Sequence, residues 1–268
     1  MKIDSHAHIG RIFVYNLSYK RVLLSMEKYG VDFSLVSSFE SIENDSRGKP
    51  VPWILQKRQN RVLIRTVKSV KKAPDRLGAL IWLKIRQETP NKRTYRLIEK
   101  YRRYIYGIKL HPYRSRTAPD DPRMQPVYEL ARHFGLPVVS HTGDCEEGDS
   151  RHLYNAAKAN PDINFVAVHM DIDTDSKNVI GFIKELPNLY GDTTWVPYDN
   201  VLNAVRTCGS EKILFGSDNP MDGRDTLQYS KKFFVDLKED ISEEDYENIM
   251  HKNAERLFGI KLPAAERT

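Results

Sequence analysis

The sequence predicts a fold of class α/β, an eight-stranded (β/α)8 TIM barrel, and three observations predict it. Eight short apolar or β-branched runs recur at near-regular spacing, a segment of helical length separates each from the next, and most of the histidines fall at the ends of the runs. Strands are expected at 2–8, 31–37, 77–83, 107–111, 137–141, 164–169, 189–194 and 212–217. Helices are expected at 19–29, 51–71, 92–104, 124–134, 151–159, 176–186 and 198–207, with a closing layer at 226–237 and 243–258. A crossover-length helix after every strand makes neighbouring strands parallel. Stop signals punctuate the joints: Gly30 before Val31, Gly135 with Pro137 before Val138, Pro161 before Asn164 and Pro187 before Leu189. The long polar segment 38–50 is either an active-site lid or a solvated excursion. An open doubly wound sheet fits the same alternation, and the position of the chemistry is what favours the barrel.

A chain of 268 residues suits one barrel domain over 1–268. With 40% hydrophobic and 29% charged residues it has the composition of a globular protein with a sizeable core, which excludes a largely disordered chain. The N-terminus enters a strand-like segment without the apolar stretch of a signal peptide, and no run approaches about 18 apolar residues, so a cytoplasmic protein with no membrane partner is expected. Cys145 and Cys208 are too few for a disulfide framework and are read as reduced thiols. The net charge of +6 is compatible with anionic partners, but the basic residues are scattered, and groups such as Lys68 with Lys71 and Lys72 read as solvated helix faces. No nucleic-acid partner is expected. Tyr95, Tyr101 and Tyr104 in the third helix suit either a homo-oligomer face or packing onto the barrel.

Five of the eight histidines, His6, His8, His111, His141 and His169, stand at expected strand ends, and Asp218 ends the eighth strand. In a (β/α)8 barrel those ends face one pocket. His6 and His8 are two apart, so both side chains share a strand face and can reach one divalent ion, zinc being the expected one. An isolated pair would be read as satisfied core histidines. The joint occurrence with His141, His169 and Asp218 at three further strand ends makes a metal site the better reading. Asp218 alone would also serve as a turn or helix cap ahead of Asn219-Pro220. Lys109 and His111 share a face as well. A lysine pointing into a barrel needs a partner or a modification, so Lys109 is read as a contact to an anionic substrate group, a carbamate bridging two metals, or half of a salt bridge. His111 is read as structural or as a substrate contact. Arg11, Arg114, Arg116 and Arg224 lie on loops after catalytic strands and suggest a carboxylate-bearing substrate or a solvated surface.

These residues, in this order, resemble the amidohydrolase superfamily, and within it the amidohydrolase-related branch, amidohydrolase family 2. The motifs that carry the resemblance are Ile3-Asp4-Ser5-His6-Ala7-His8, Gly107-Ile108-Lys109-Leu110-His111-Pro112, the histidines 141 and 169, Leu214-Phe215-Gly216-Ser217-Asp218-Asn219-Pro220, and the closing run from Ile249 to Gly259. The resemblance implies a barrel of the metallo-dependent hydrolase type. It implies that His6, His8, His141 and Asp218 ligate the metal and that His169 polarises the substrate or shuttles a proton. Members with two metals carry a Glu on the fourth strand. The inward residue here is Lys109, so one ion is expected and two remain the alternative. The implied activity is hydrolysis of a small lactone, amide or related substrate by a metal-activated water, with Asp218 as the base and Lys109, His111 and Arg114 as candidate substrate contacts. Non-oxidative decarboxylation is the alternative on the same scaffold. A phosphoesterase or nuclease ranks below it, and a barrel that only binds a partner would hold no metal.

Overall fold

The computed structural model describes residues 1–220 and 231–262. Its elements run β1 (Ile3–Ile12), β2 (Tyr15–Leu17), α1 (Tyr19–Tyr29), β3 (Phe33–Ser38), α2 (Gln59–Val70), β4 (Leu77–Trp82), α3 (Lys92–Tyr101), β5 (Ile105–Leu110), α4 (Pro112–Ser115) and α5 (Gln125–Phe134). They continue with β6 (Val138–Gly143), α6 (Ser150–Ala159), β7 (Phe165–Ile172), α7 (Lys177–Glu185), β8 (Leu189–Asp192), α8 (Tyr198–Cys208), β9 (Ile213–Leu214), α9 (Lys231–Asp240), α10 (Glu243–Glu247) and α11 (Asn253–Phe258). The sheet order is β2-β1-β3-β4-β5-β6-β7-β8-β9, antiparallel at β1–β2 and parallel elsewhere.

The backbone closes the ring. Ser5 N donates to Phe215 O at 2.9 Å, Asp218 N to His6 O at 2.7 Å and His8 N to Asn219 O at 3.0 Å, with a parallel bridge between Ala7 and Asn219. The expected last strand is therefore short as a ladder. Phe215 N turns to Ile249 O, and the chain then follows β1. Gly216 permits this, because a Cβ there would stand 2.5 Å from Thr194 Oγ1 and 2.8 Å from Asp192 Oδ2.

Alternate strand residues build two cores. Ile3, Leu35, Leu80, Val139, Val166, Val168 and Leu214 fill the barrel, plugged from one end by Ala254, Phe258 and Ile260. Residues of opposite parity, such as Ala79, Ile81, Ile108, Val138 and Ala167, pack under the helices with Val22, Leu63, Val67, Leu130 and Ile180. Gly30 and Gly135 end α1 and α5 in left-handed geometry, at φ 64° and 60°.

Three expectations need correction. The helix read at 51–71 begins only at Gln59, because the chain first turns, with Leu55 N on Pro52 O and Gln56 N on Trp53 O, and Arg58 is extended at φ −60°, ψ 140°. Segment 38–50 is a solvated excursion only over 45–50, where Ser46, Arg47, Lys49 and Pro50 are exposed. Glu40, Ser41, Ile42, Glu43 and Asn44 are buried, and Glu40 is paired with Lys57 at 2.8 Å and Arg65 at 2.6 Å. The antiparallel strand β2 extends β1 and was not expected. The helix read at 226–237 and Arg224 lie wholly or partly outside the described residues. No helix among the described residues is long and apolar enough to cross a membrane.

Candidate metal centre

The site forms where backbone irregularities turn polar side chains into the barrel mouth. Ile3 points into the barrel while Ala7 and Ile9 point under the helices. A register shift between Asp4 and Ala7 accounts for the reversal and carries His6 and His8 inward. Their Nε2 atoms then stand 3.1 Å apart. On β7, Val168 already faces the barrel, so strict alternation would send His169 outward. A φ of 72° at His169 brings it back. Asp218 and Trp195 also hold positive φ, at 64° and 58°. Such conformations cost about 1–3 kcal/mol each and cluster at functional sites.

Each imidazole near the centre is held from behind. His6 Nδ1 lies 3.5 Å from Asp192 Oδ2 and 3.4 Å from Thr194 Oγ1, His8 Nδ1 is 2.9 Å from Ser37 Oγ, and His169 Nδ1 is 3.1 Å from Thr194 O. A nitrogen fixed on one side leaves Nε2 as the available donor on the other, the usual arrangement of metal-binding histidines. His8 Nε2 lies 2.7 Å from Asp218 Oδ1, and the Trp195 indole donates to Asp218 Oδ2 at 3.0 Å. Donor atoms of His6, His169 and Asp218 all fall within 4.8 Å of one another, a buried group with the spacing to hold a metal ion.

His141 sits differently. Its Nε2 is 3.0 Å from Asp144 Oδ2, its ring stacks on His111 at 4.0 Å, and it meets His169 edge-on at 4.7 Å. His111 in turn stacks on Trp82 at 5.0 Å. Above the histidines lies a cavity of about 200 Å³, walled by Phe39, Tyr113, Arg114, Ile172 and Trp195. The Arg114 guanidinium rests on the Tyr113 ring at 5.0 Å. Lys109 is fully buried beneath, and among the described residues its Nζ has no hydrogen-bond partner. Arg116 is spent on Glu147 at 3.5 Å, and Arg11 is exposed in a neighbouring groove.

Burial sets the protonation. It lowers His6 and His111 well below 6.5 and brings His169 to about 3, with nearby Lys109 and other histidines adding to the effect. It lowers His141 too, against the pull of Asp144. Burial would raise Asp218, but the charge and hydrogen bond of His8, with His169 and Trp195, outweigh it and keep the carboxyl below the usual range. Lys109 falls to about 8 through burial, opposed by Asp218 and Asp192. Asp192 rises to about 7, against bonds from the His169 and Thr194 amides.

A stability prediction follows for the metal-free protein. Groups whose folded pKa is depressed below 6.5 leave the unfolded chain binding more protons. Their stabilising effect is complete above about pH 6.5 and is lost as the pH falls toward their folded values. Urea midpoints of the metal-stripped protein should be level from about pH 8 to about pH 7 and drop steadily from about pH 6.5 to about pH 5. Equal midpoints across that window would show that these histidines are not buried as neutral groups.

Asp192, Asp144 and Trp195 were not expected from the sequence. Asp192 was findable, since it closes β8 by the same strand-end rule that found the histidines. It backs both His6 and the His169 amide, the latter at 2.9 Å. Outer partners of this kind are worth about 10–100-fold in metal affinity. Asp192→Asn is expected to weaken affinity by that factor in competition with a chromophoric chelator.

The amidohydrolase family model matches residues 3–260. No curated protein matches the chain. Solved structures do. The 5-carboxyvanillate decarboxylase from Sphingomonas paucimobilis is 15% identical with a TM-score of 0.69, covering 97% of this chain and 99% of that one. A dihydroxybenzoic acid decarboxylase from Polaromonas sp. JS666, solved with bound manganese and 2-nitroresorcinol, is 17% identical with a TM-score of 0.70, covering 96% of each chain. A probable 2-pyrone-4,6-dicarboxylic acid hydrolase from Acinetobacter baumannii, with citric acid bound, is 14% identical with a TM-score of 0.67, covering 97% of this chain and 99% of that one.

Proposed function

The chain belongs to the amidohydrolase family, and from that premise we propose that it is a metal-dependent hydrolase of a small, carboxylate-bearing lactone, amide or related substrate. The observation that carries the reading is the convergence of His6, His169 and Asp218 donors within 4.8 Å, with His8 Nε2 2.7 Å from Asp218, below a cavity bordered by Arg114. The imidazoles of His6 and His169, kept neutral by burial, and the ionised Asp218 carboxylate suit a first-row divalent ion. Zinc is the proposed ion, at one site, with His6, His8, His141 and Asp218 as ligands. A manganese-containing neighbour makes metal content the measurement that decides its identity. Bound there, the ion would supply Lewis acidity and acidify a water.

The chain's own groups do the rest. Asp218 accepts the proton of the attacking water and passes it to the leaving group, while Trp195 keeps the carboxylate in place. His169, oriented by the Thr194 carbonyl, presents Nε2 to the developing oxyanion. Arg114, laid on Tyr113, offers a planar pair of donors to a substrate carboxylate, with His111 at the cavity wall and Lys109 adding positive potential from below. A second ligand set, with His169 in place of His141, is favoured by the grouping of His169 with His6 and Asp218 and by the engagement of His141 with Asp144. Metal content of His141→Ala and His169→Ala separates the two, because the true ligand's variant is the one that loses metal.

Non-oxidative decarboxylation is the second reading, favoured by the aromatic walls of Phe39, Tyr113 and Trp195, which suit a flat carboxylate. Metal-loaded protein offered lactones, amides and aromatic carboxylates should hydrolyse a member of the first two groups with all carbon retained in solution. Release of carbon dioxide without a hydrolytic product would replace the hydrolase reading by the decarboxylase. Turnover of neither kind would overturn both.

A further inference from the structure

The even scatter of basic residues expected above needs correction, because the net positive charge sits in one stretch. Residues 56–104 contain sixteen Lys and Arg against three Asp and Glu, whereas the rest of the chain has 26 against 33 and is net acidic. Read from the sequence, these cations are solvated helix faces. The fold gathers them on one flank. On α2, Arg61, Arg65 and Lys68 recur at spacings of four and three and so share a helix face, with Arg58 exposed just before the helix and Lys72 exposed just after it. A groove of about 670 Å³ between α2 and the start of α3 is lined by Lys57, Arg58, Arg61, Arg65, Lys68 and Arg93, with Glu88 as its acidic member. Lys57 and Arg65 are paired with Glu40. Among the described residues no carboxylate lies within ion-pair distance of Arg58, Arg61, Lys68, Lys72 or Arg93.

Apolar side chains stand out beside that charge. Directly before α2, Trp53 is 83% exposed, Ile54 73% and Leu55 41%. At the tip of the β1–β2 hairpin Val14 is 90% exposed and Phe13 43%. The hairpin adjoins the same helix, since Arg11 and Asn16 share a second groove with Arg65 and Lys68. Exposed Trp and aliphatic residues bordering a field of Lys and Arg are the pattern of proteins that lie on an anionic lipid surface. A nucleic acid would use the cations but gain nothing from Ile54, Leu55 or Val14. A second copy docked by a two-fold axis would set the same cations against each other.

We propose that the α2–α3 flank docks on an anionic lipid bilayer, with Arg58, Arg61, Lys68 and Arg93 against headgroup phosphates and the Trp53 and Val14 tips entering the interface. The test is co-sedimentation of the full chain with phosphatidylcholine vesicles, with and without phosphatidylserine, at low and high salt. The protein should partition onto the anionic vesicles alone, release at high salt, and shift its Trp emission to the blue, a shift that Trp53→Ser removes. The triple variant Arg58→Glu, Arg61→Glu, Lys68→Glu, folded by circular dichroism, should lose partitioning by at least about tenfold. Failure of the wild type to bind, or equal binding by the triple variant, overturns the proposal. So does tighter, salt-sensitive binding to nucleic acid, or a self-association in ultracentrifugation that the same variants abolish. None of these readouts depends on the hydrolase reading.

Discussion

Asp218→Asn is expected to lower kcat by about a thousandfold while leaving the fold intact. The carboxylate is held between the His8 ring at 2.7 Å and the Trp195 indole at 3.0 Å, and its neighbours keep it ionised despite burial. An amide of the same shape keeps the Trp195 contact but cannot accept a proton. Positioned acid–base groups contribute about 10²–10⁴-fold, which sets the scale of the loss. Steady-state kinetics beside a circular dichroism spectrum would check it. Unchanged turnover would remove Asp218 as the base and leave it as a ligand or a support for His8.

The second large effect is on metal content. The double variant His6→Ala, His8→Ala is expected to retain less than about a tenth of the metal held by wild type, where about one equivalent is expected. Both rings sit at the centre of the cluster, and each is anchored from behind, His6 by Asp192 and His8 by Ser37. A ligand that binds only the folded state stabilises it by roughly 4 kcal/mol at a thousand times its Kd. Added zinc should therefore raise the melting temperature of wild type and leave that of the double variant unmoved. Mass spectrometry of the purified proteins gives the content and the number of ions together. Two equivalents in wild type would put Lys109 back in play as a carbamate bridge, and a full complement in the double variant would sink the site.

The sequence by itself determined the alternation of strands and helices, the helix stops at Gly30 and Gly135, and five of the strand-end residues that meet in one pocket: His6, His8, His141, His169 and Asp218. These are local properties, since apolar periodicity, cap chemistry and position in a run are all legible within a few neighbouring residues. Tertiary structure alone decided which donors converge. The shift between Asp4 and Ala7 and the positive φ of His169 reverse the facing that strict alternation would give, and neither has a marker in the sequence. The partners of the site are equally remote in the chain. Trp195 reaches Asp218 across 23 residues, and Asp192 lies beside His6 near the other end of the protein. The basic flank follows the same rule. Cations scattered over 56–104 become one surface only when α2 and α3 are laid side by side, because a charge field depends on distances in space and the sequence records only distances along the chain.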